Sequence, residues 1–316
     1  MTFLKLLWAA AALCAAPIVT LADEWTPSGP ITMYIGFAAG GGADTQARLI
    51  AQGLEEKFGW SVFPQQATGN SGLNLAQELR DAPKDGTAIG MVVSETLTYN
   101  AAVVGDPNLQ LENFTALATT AEFQLGLVAM QCGDFDSWDK VKAAAEVGTP
   151  IRFATATDRQ GDMAWHLGQK AGIDFNIVSV KGGADVMNGL RGGDVDIGWV
   201  AGAQSKPVQQ GEMVNIARGI KTPLADSPNA PSIIELGSEF YLDGYFMFIG
   251  PEGMDTAARD ALGAAIRDVL EDGSTEANAL VTKAFGGPSV MTGEDLDAYM
   301  QQSKADAEAL LISVSQ

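Results

Sequence analysis

The sequence predicts an α/β protein of two domains, each built around a mixed, mostly parallel sheet. Its length of 316 residues favours two domains, at roughly 100–200 residues each. Short apolar runs typical of strands alternate with stretches of helical periodicity, a pattern that indicates βαβ units. This alternation occurs in two series, around residues 31–120 and 150–220. Two series of βαβ units therefore predict two sheets.

The first series begins with an apolar run, Ile31–Phe37, which predicts a buried strand. From Asp44 onward, apolar residues recur at the spacing of one helical face, and Gly59 closes this predicted helix. Two further strands and a short helix follow in the order Ser61–Phe63, a helix around Leu75 to Leu79, and Thr87–Val93.

The second series repeats this pattern. Strands are predicted at Ile151–Thr155, Phe175–Val180 and Asp194–Val200, separated by the helix-like DRQGDMAWHLGQKAG and by KGGADVMNGLRGG, a glycine turn with a short helix. The C-terminal part is predicted to be helical, with one apolar face running from Ala258 to Val269.

The chain contains no proline-rich or low-complexity linker, so we expect it to cross between the domains on strands, near Gln124–Met130 and Tyr245–Ile249. This predicts a discontinuous first domain, residues 23–124 with 245–316, and a second domain, residues 125–244.

The first 22 residues have the pattern of a secretory signal peptide: one charge, Lys5, then an apolar run and small residues, with cleavage predicted after Ala22. A lipid anchor at Cys14 is the alternative, although the bulky Leu13 precedes it. No later stretch reaches the ~18 apolar residues of a membrane helix, so we expect an exported, soluble, periplasmic protein.

The net charge of the chain argues against two classes of partner. Removal of the signal leaves 18 basic and 39 acidic residues, a net charge of 18 minus 39, or −21. That charge argues against nucleic acid or an anionic membrane as a partner, but local donors can still hold a small anion.

Cys132 alone remains after cleavage, so no internal disulfide is expected; we predict that it is buried as a small hydrophobe.

The stretch FAAGGGADT, residues 37–45, places three glycines between a strand and a helix. A Walker phosphate loop needs GxxxxGK followed by Ser or Thr, but Gly42 and Ala43 stand at the last two positions. GxGxxG also fails, because Thr45 stands where glycine is required. The unpaired amides of a helix N-terminus suffice to bind a carboxylate, whereas a simple tight turn would need fewer glycines.

Catalysis and metal binding have little support in the sequence. His166 is the only histidine, so a catalytic triad would have to be built around it, and a packed histidine is the commoner role of such a residue. GNSG at Gly69–Gly72 lacks the last glycine of a nucleophile elbow. One His and one remaining Cys do not favour zinc, and neither aspartate pair, 134/136 or 194/196, continues into a calcium loop. No enzyme, metal or cofactor is therefore predicted.

Polar segments follow several predicted strands, at the edge where α/β sheets bind ligands. Backbone amides, hydroxyls and Asn recur there, with Arg159 and Lys181 as the nearby cations. Trp165 and Trp199 are expected to pack in the core or, alternatively, to form an aromatic wall. The segments are FAAGGGAD, QATGNSG, Ser94-Glu95-Thr96, ATATDRQGD and KGGAD.

These motifs, in this order, resemble the solute receptors of tripartite tricarboxylate transporters, the TctC/Bug family. The resemblance rests on FAAGGGADTQARLIAQGL, ATGNSGLNLA, FATATDRQGDMAWHLGQKAGI, VSVKGGADVMNGLRGGDVDIGWV, NAPSIIELG and GYFMFIGPEGM, which span the mature chain. It implies a two-domain, type II periplasmic binding-protein fold with a carboxylate held in the interdomain cleft. It also implies a monomer that delivers its ligand to integral membrane subunits.

The resemblance and the polar segments together give the candidate ligand-binding residues. The first domain contributes Phe37, Ala38, Ala39, Gly40, Gly41, Asp44, Asn70, Ser71 and Ser94; the second contributes Thr155, Ala156, Thr157, Arg159, Gln160, Lys181, Gly182, Gly183, Ala184 and Asp185.

Departures from the family pattern leave the far end of the ligand open. The second-domain loop carries Asp158, Arg159 and Asp162 instead of a Gly/Ser run. Arg159 favours a second carboxylate, whereas the aspartates favour an amine, an amide or a hydroxyl-rich group. Two other functions remain: a ligand sensor that contacts a sensor kinase, and an enzyme that uses His166 as a general base.

Overall fold

A computed structural model describes residues 25–314, so the predicted signal peptide and Cys14 lie outside the described residues. The ten strands in this range are β1 (Ile31–Ile35), β2 (Val62–Gln66), β3 (Ala88–Val93), β4 (Phe114–Glu122), β5 (Leu125–Met130), β6 (Ile151–Thr155), β7 (Phe175–Ser179), β8 (Ile197–Ala201), β9 (Met213–Arg218) and β10 (Tyr245–Pro251).

The α-helices of the same range alternate with these strands and then close the chain. They are α1 (Gly42–Phe58), α2 (Leu73–Arg80), α3 (Ala101–Val104), α4 (Trp138–Glu146), α5 (Asp158–Ala171), α6 (Gly183–Gly192), α7 (Ser205–Gln209), α8 (Thr256–Glu271), α9 (Glu276–Phe285) and α10 (Gly293–Val314). A π-helical turn, Thr96–Asn100, connects β3 to α3.

The strands form two five-stranded sheets, ordered β2-β1-β3-β10-β4 and β7-β6-β8-β5-β9. In the first sheet only β10 runs against the others, and in the second only β5 does. Four of the five strands in each sheet therefore point the same way, which confirms the prediction of two mixed, mostly parallel sheets. The first sheet takes its strands from both sides of the second in sequence.

The sequence explains why these elements form. In α1 the predicted apolar face is buried from Ala47 to Leu54, whereas Phe58 at its end is 37% exposed. Gly59 ends the helix in the left-handed conformation at φ 69°. Every residue of β3 is buried, as expected of a central strand covered on both faces. No helix in the described part of the chain is long and apolar enough to cross a membrane.

Two predictions about single side chains are wrong. Cys132 is exposed, because it lies in a tight turn just after β5, with φ 61°. Trp165 is 51% exposed on the outer face of α5 and is not a core residue. Trp199 on β8 is 1% exposed, and its ring packs against Phe153 with centroids 5.4 Å apart, as predicted.

Candidate functional site

The loops that follow the strands of the two sheets meet face to face and enclose a small cavity of about 40 Å³. Its polar lining includes Glu95, Thr157 and Gln160, and its apolar lining is mainly aromatic. This volume is enough for on the order of three waters. The aromatic walls come from both sheets and from the loops beside them: Phe37, Phe123, Trp199 and Phe246.

The first glycine turn already binds an anionic group of its own, the carboxylate of Asp44. Oδ2 of Asp44 accepts from the amide of Gly40 at 2.8 Å, and Oδ1 accepts from Arg48 at 2.9 Å and from Gln66 at 2.5 Å. Asp44 is 4% exposed. Its carboxylate thus fixes the shape of the turn from behind, and Gly40 faces away from the cavity.

The amides that face the cavity lie further along this turn. Gly41, Gly42 and Ala43 all line it, and Gly42 and Ala43 belong to the first turn of α1, where the helix offers no carbonyl to their N–H groups. The amides of Ala38 and Gly41 are occupied, since they donate to the carbonyls of Lys181 and Ala38, each at 3.1 Å. The helix dipole adds partial positive charge at Gly42 and Ala43.

The second glycine turn faces the first across the cavity. Gly183 begins α6 and also lines the cavity. A Cβ built on Gly41 would lie 3.6 Å from the nitrogen of Ala184 and 3.8 Å from that of Gly183. The N-termini of α1 and α6 therefore approach each other closely, and both bring positive partial charge to the same point.

Glycine is required where these two turns touch. A Cβ on Gly182 would lie 2.8 Å from the backbone nitrogen of Ala38, and a Cβ on Gly42 would lie 2.8 Å from the carbonyl oxygen of Ala201. Real Cβ atoms do not approach backbone atoms that closely. The glycines therefore permit the contact between the two domains as well as access to the amides.

Glu95 follows β3 and brings a buried carboxylate to the cavity, where it is 1% exposed. Its Oε1 accepts from the hydroxyl of Thr157 at 2.5 Å, and its Oε2 lies 3.4 Å from Nη1 of Arg159. Burial raises the pKa of Glu95, although Arg159 and Thr157 both favour the ionised form. Glu95 thus joins the first domain to the start of α5.

The guanidinium of Arg159 has other partners in addition to Glu95. Its Nη1 donates to the carbonyl of Asp243 at 2.9 Å, and its Nη2 donates to that of Tyr241 at 3.2 Å. Arg159 does not line the cavity that contains Glu95. Arg159 is therefore already paired with Glu95 and with two backbone carbonyls. A second ligand carboxylate would have to compete for these N–H groups.

Three further hydrogen bonds join the N-terminal part of α5 to the first domain. The amide of Asp158 donates to Oγ of Ser71 at 3.0 Å, and the amide of Arg159 donates to Oδ1 of Asn100 at 3.2 Å. The Tyr99 hydroxyl donates to Asp162 at 2.8 Å. Burial, together with the hydrogen bond to Asp162, raises the pKa of Tyr99, and burial also raises that of Asp162. These bonds hold the two domains together at the cleft.

Six candidate residues line the cavity, and several of the others hold its walls in place. Phe37, Gly41, Ala156, Thr157, Gln160 and Gly183 line it. Oγ of Ser94 instead accepts from the amide of Tyr245 and the hydroxyl of Tyr299. Asp185 accepts from the amide of Lys181 at 3.2 Å. Thr155 is buried at the end of β6, and Gly182 and Ala184 flank Gly183. The exposed candidates are Ala39, Gly40, Asn70 and Lys181.

Gly42, Ala43 and Glu95 line the cavity but were not among the ligand-binding residues predicted from the sequence. Gly42 and Ala43 could have been predicted, because the first amides of a helix have no partner within it. These amides are better donors for a ligand than those of the turn that precedes the helix. Glu95 stood in a recognised polar segment, but its role depends on residues 62 and 64 positions away in the chain.

His166 lies on α5 beside Phe240, with ring centroids 5.6 Å apart, and it does not line the cavity. Among the described residues, no group of three or more His, Cys, Asp or Glu side chains is arranged to hold a metal ion. The chemistry of the cavity is therefore that of amides, one carboxylate, one hydroxyl and aromatic rings.

Comparison with known proteins agrees with this architecture. The chain is 26% identical over 312 residues to a UPF0065 protein in the TAR-I ttuE-ttuC' intergenic region of Agrobacterium vitis, covering 95% of this chain and 88% of that protein. The periplasmic binding protein BugD has a similar fold, with a TM-score of 0.80 at 20% identity, over 92% of this chain and 99% of BugD.

MatC from Rhodopseudomonas palustris, solved with bound malate, is also similar, with a TM-score of 0.77 at 20% identity over 90% of this chain and 99% of MatC. These structures share the two-domain fold of periplasmic binding proteins. The family model described as tripartite tricarboxylate transporter family receptor matches residues 46–313, most of the chain. The protein therefore belongs to the TctC family of tripartite tricarboxylate transporter receptors.

Proposed function

We propose that this protein is a periplasmic receptor that binds a small organic acid by its carboxylate, between the N-termini of α1 and α6, and delivers it to the membrane subunits of a tripartite tricarboxylate-type transporter. The proposed ligand classes are di- and tricarboxylates, aromatic acids and related organic acids. MatC was solved with malate, and by analogy a carboxylate is the natural occupant of this cleft.

The observation that carries the proposal is the approach of the two helix N-termini. Gly42 and Ala43 on one side and Gly183 on the other line one cavity, and each lies in the first turn of its helix. Two positive helix-dipole ends that face each other repel. An anion placed between them is attracted to both. Amides fixed in this way bind a carboxylate without a cationic side chain.

Ligand entry requires the domains to separate. The polar bonds at the cleft hold the two domains together in the closed arrangement and would have to break for an organic acid to reach the amides. The chain crosses between the sheets at Phe123–Gln124 and Asp243–Gly244, where short segments can act as a hinge. Hinge opening exposes the amides, and closure then surrounds the ligand.

A thermal-shift screen of the mature protein against di- and tricarboxylates, aromatic acids and amino acids tests the proposal. A ligand at 100 times its Kd stabilises the folded state by about 2.7 kcal/mol, which corresponds to an increase in Tm of roughly 5 °C. At least one class should produce such a shift. If folded protein responds to none of them, the proposed function is wrong.

A further inference from the structure

We infer that the ligand carries a single carboxylate and, at its other end, a hydrogen-bond donor that Glu95 accepts, so that hydroxy, amide or amino acids bind and matched dicarboxylates do not. This inference rests on the proposed function, because it assigns the far end of the same ligand. It makes Glu95 the residue that determines specificity.

Glu95 retains acceptor capacity inside the cavity. A carboxylate offers about four lone-pair sites, and the described residues supply two donors, Thr157 and Arg159, the latter at a long 3.4 Å. Because Glu95 is 1% exposed, bulk water does not solvate its remaining lone pairs. Buried polar atoms in proteins are nearly always paired, so a donor on the ligand fits this position.

The surroundings of Glu95 disfavour a second ligand carboxylate. Among the described residues that line the cavity, none is Lys, Arg or His. Asp158 lies close by, on the first turn of α5, and among the described residues Arg159 is the one cation that bonds to Glu95. A carboxylate placed next to Glu95 would meet like charge with little solvent between them, which is strongly unfavourable.

The lining of the cavity thus offers both hydrogen-bond donors and an acceptor. Amides of α1 and α6 supply donors for the carboxylate, whereas Glu95 supplies an acceptor for the other end. Aromatic rings such as Phe123 and Phe246 lie along the walls and pack against the carbon skeleton. A site built to hydrogen-bond one group rejects an analogue that lacks it far more strongly than an apolar pocket rejects a change in size.

Isothermal titration of the wild-type protein with matched acids tests the inference. One series is butyrate, γ-hydroxybutyrate, γ-aminobutyrate, succinamate and succinate; a second is benzoate, para-hydroxybenzoate, para-aminobenzoate, terephthalamate and terephthalate. In whichever series binds, a donor-bearing member should bind at least about tenfold more tightly than the dicarboxylate and the unsubstituted acid.

The variant Glu95→Gln provides a second readout, with Glu112→Gln as a matched control, since Glu112 is an exposed partner of Lys304. Because the Gln amide adds a donor and removes the charge, the affinity ratio of donor-bearing acid to dicarboxylate should fall by about tenfold in Glu95→Gln. In Glu112→Gln the ratio should stay unchanged.

The outcomes separate the two proposals. If the dicarboxylate binds wild type as tightly as the donor-bearing acids or more tightly, the inference is wrong and the proposed function stands. If the wild-type ranking is as expected but Glu95→Gln keeps it, Glu95 is not the acceptor and the inference is equally wrong. If folded wild-type protein binds no carboxylate in either series or in the broader screen, the proposed function fails and the inference with it. If Glu95→Gln does not fold, the wild-type ranking still tests the ligand class that the inference assigns.

Discussion

The backbone amide of Ala38 in one domain donates to the carbonyl of Lys181 in the other at 3.1 Å, across the cleft between the two glycine turns. This bond is possible because Gly182 has no side chain beside Ala38. Closure of the cleft therefore depends on backbone atoms that can approach each other to hydrogen-bonding distance.

Gly182→Ala should weaken ligand binding by about tenfold or more while leaving the fold intact. The added Cβ would lie 2.8 Å from the nitrogen of Ala38, and overpacking of this kind costs about 1–3 kcal/mol, here only in the closed form. Residue 182 has an extended φ of 163°, which alanine also adopts. Titration calorimetry measures the affinity, and Gly273→Ala, where a Cβ meets nothing within 4 Å, is the control. Unchanged affinity in Gly182→Ala would show that closure tolerates a methyl group here.

Asp44→Ala should lower the free energy of unfolding by about 2–3 kcal/mol. The substitution leaves the Gly40 amide, Gln66 and Arg48 without their shared acceptor in a buried position. Urea denaturation measures the change. Asp306→Ala removes an exposed carboxylate that accepts a hydrogen bond from Gln302 and should cost less than about 0.5 kcal/mol. Equal costs for the two variants would contradict a bracing role for Asp44.

Stability in the absence of ligand should depend on pH through Glu95. Burial raises the pKa of Glu95 in the folded state above the ordinary value of about 4.3. The folded protein therefore binds this proton more tightly than the unfolded chain does, so the contribution is fully present below pH ~4.3 and is lost as pH rises through the higher folded pKa. Glu95→Gln removes this titration.

The Tm of Glu95→Gln minus that of wild type should accordingly increase between pH ~4 and pH ~8. Surface acids such as Glu112, whose pKa is lowered by its hydrogen bond to Lys304, titrate alike in both proteins and cancel in the difference. Scanning calorimetry at several pH values measures it. A difference that does not vary with pH would mean that Glu95 has the same pKa in the folded and unfolded chain.

His166→Ala should retain ligand binding within about threefold, because His166 packs beside Phe240 and does not line the cavity. Loss of the ring contact should lower the free energy of unfolding by about 1 kcal/mol. Calorimetric titration and urea denaturation measure these effects. Abolished binding in a folded variant would instead restore His166 as a functional residue.

The mature protein should react with one equivalent of Ellman's reagent without denaturant, because Cys132 is exposed and Cys14 precedes the predicted cleavage site. The intact mass should correspond to a chain that begins at Asp23. A lipidated N-terminus at Cys14 would add a large apolar mass, and an unreactive thiol would place Cys132 in the interior.

The sequence predicted most of the fold because periodicity is local. Strands β1, β3 and β6 follow apolar runs and lie within two residues of their predicted bounds, and the glycine turns were visible as such. Strand β4, FTALATTAE, was not predicted, since its alanines and threonines form no apolar run, although almost all of it is buried. Its partner in the sheet is β10, 123 residues away at the pair Glu122 and Tyr245, so no local pattern indicates this strand.

The site was less predictable, because its contacts are not local in the sequence. A helix N-terminus follows from local sequence, but the partner of each side chain depends on how two separately wound sheets meet. Asp44 carries a carboxylate of the kind that binds ligands, but its partners are Gly40, Arg48 and Gln66 of the first domain. Glu95 instead has its partners at the start of α5. No spacing rule relates Glu95 to Thr157, so only the packed structure reveals the pair.

The position of β10 has a consequence for biogenesis. Because β10 lies between β3 and β4, the first sheet is incomplete until residue 251 is available, while all strands of the second sheet lie within residues 125–218. The second domain can therefore fold first as the chain is synthesised, and until β10 arrives β3 and β4 have open edges. Truncation anywhere before β10 would leave those edges free to pair with other chains, so the C-terminal segment protects the folding chain from aggregation.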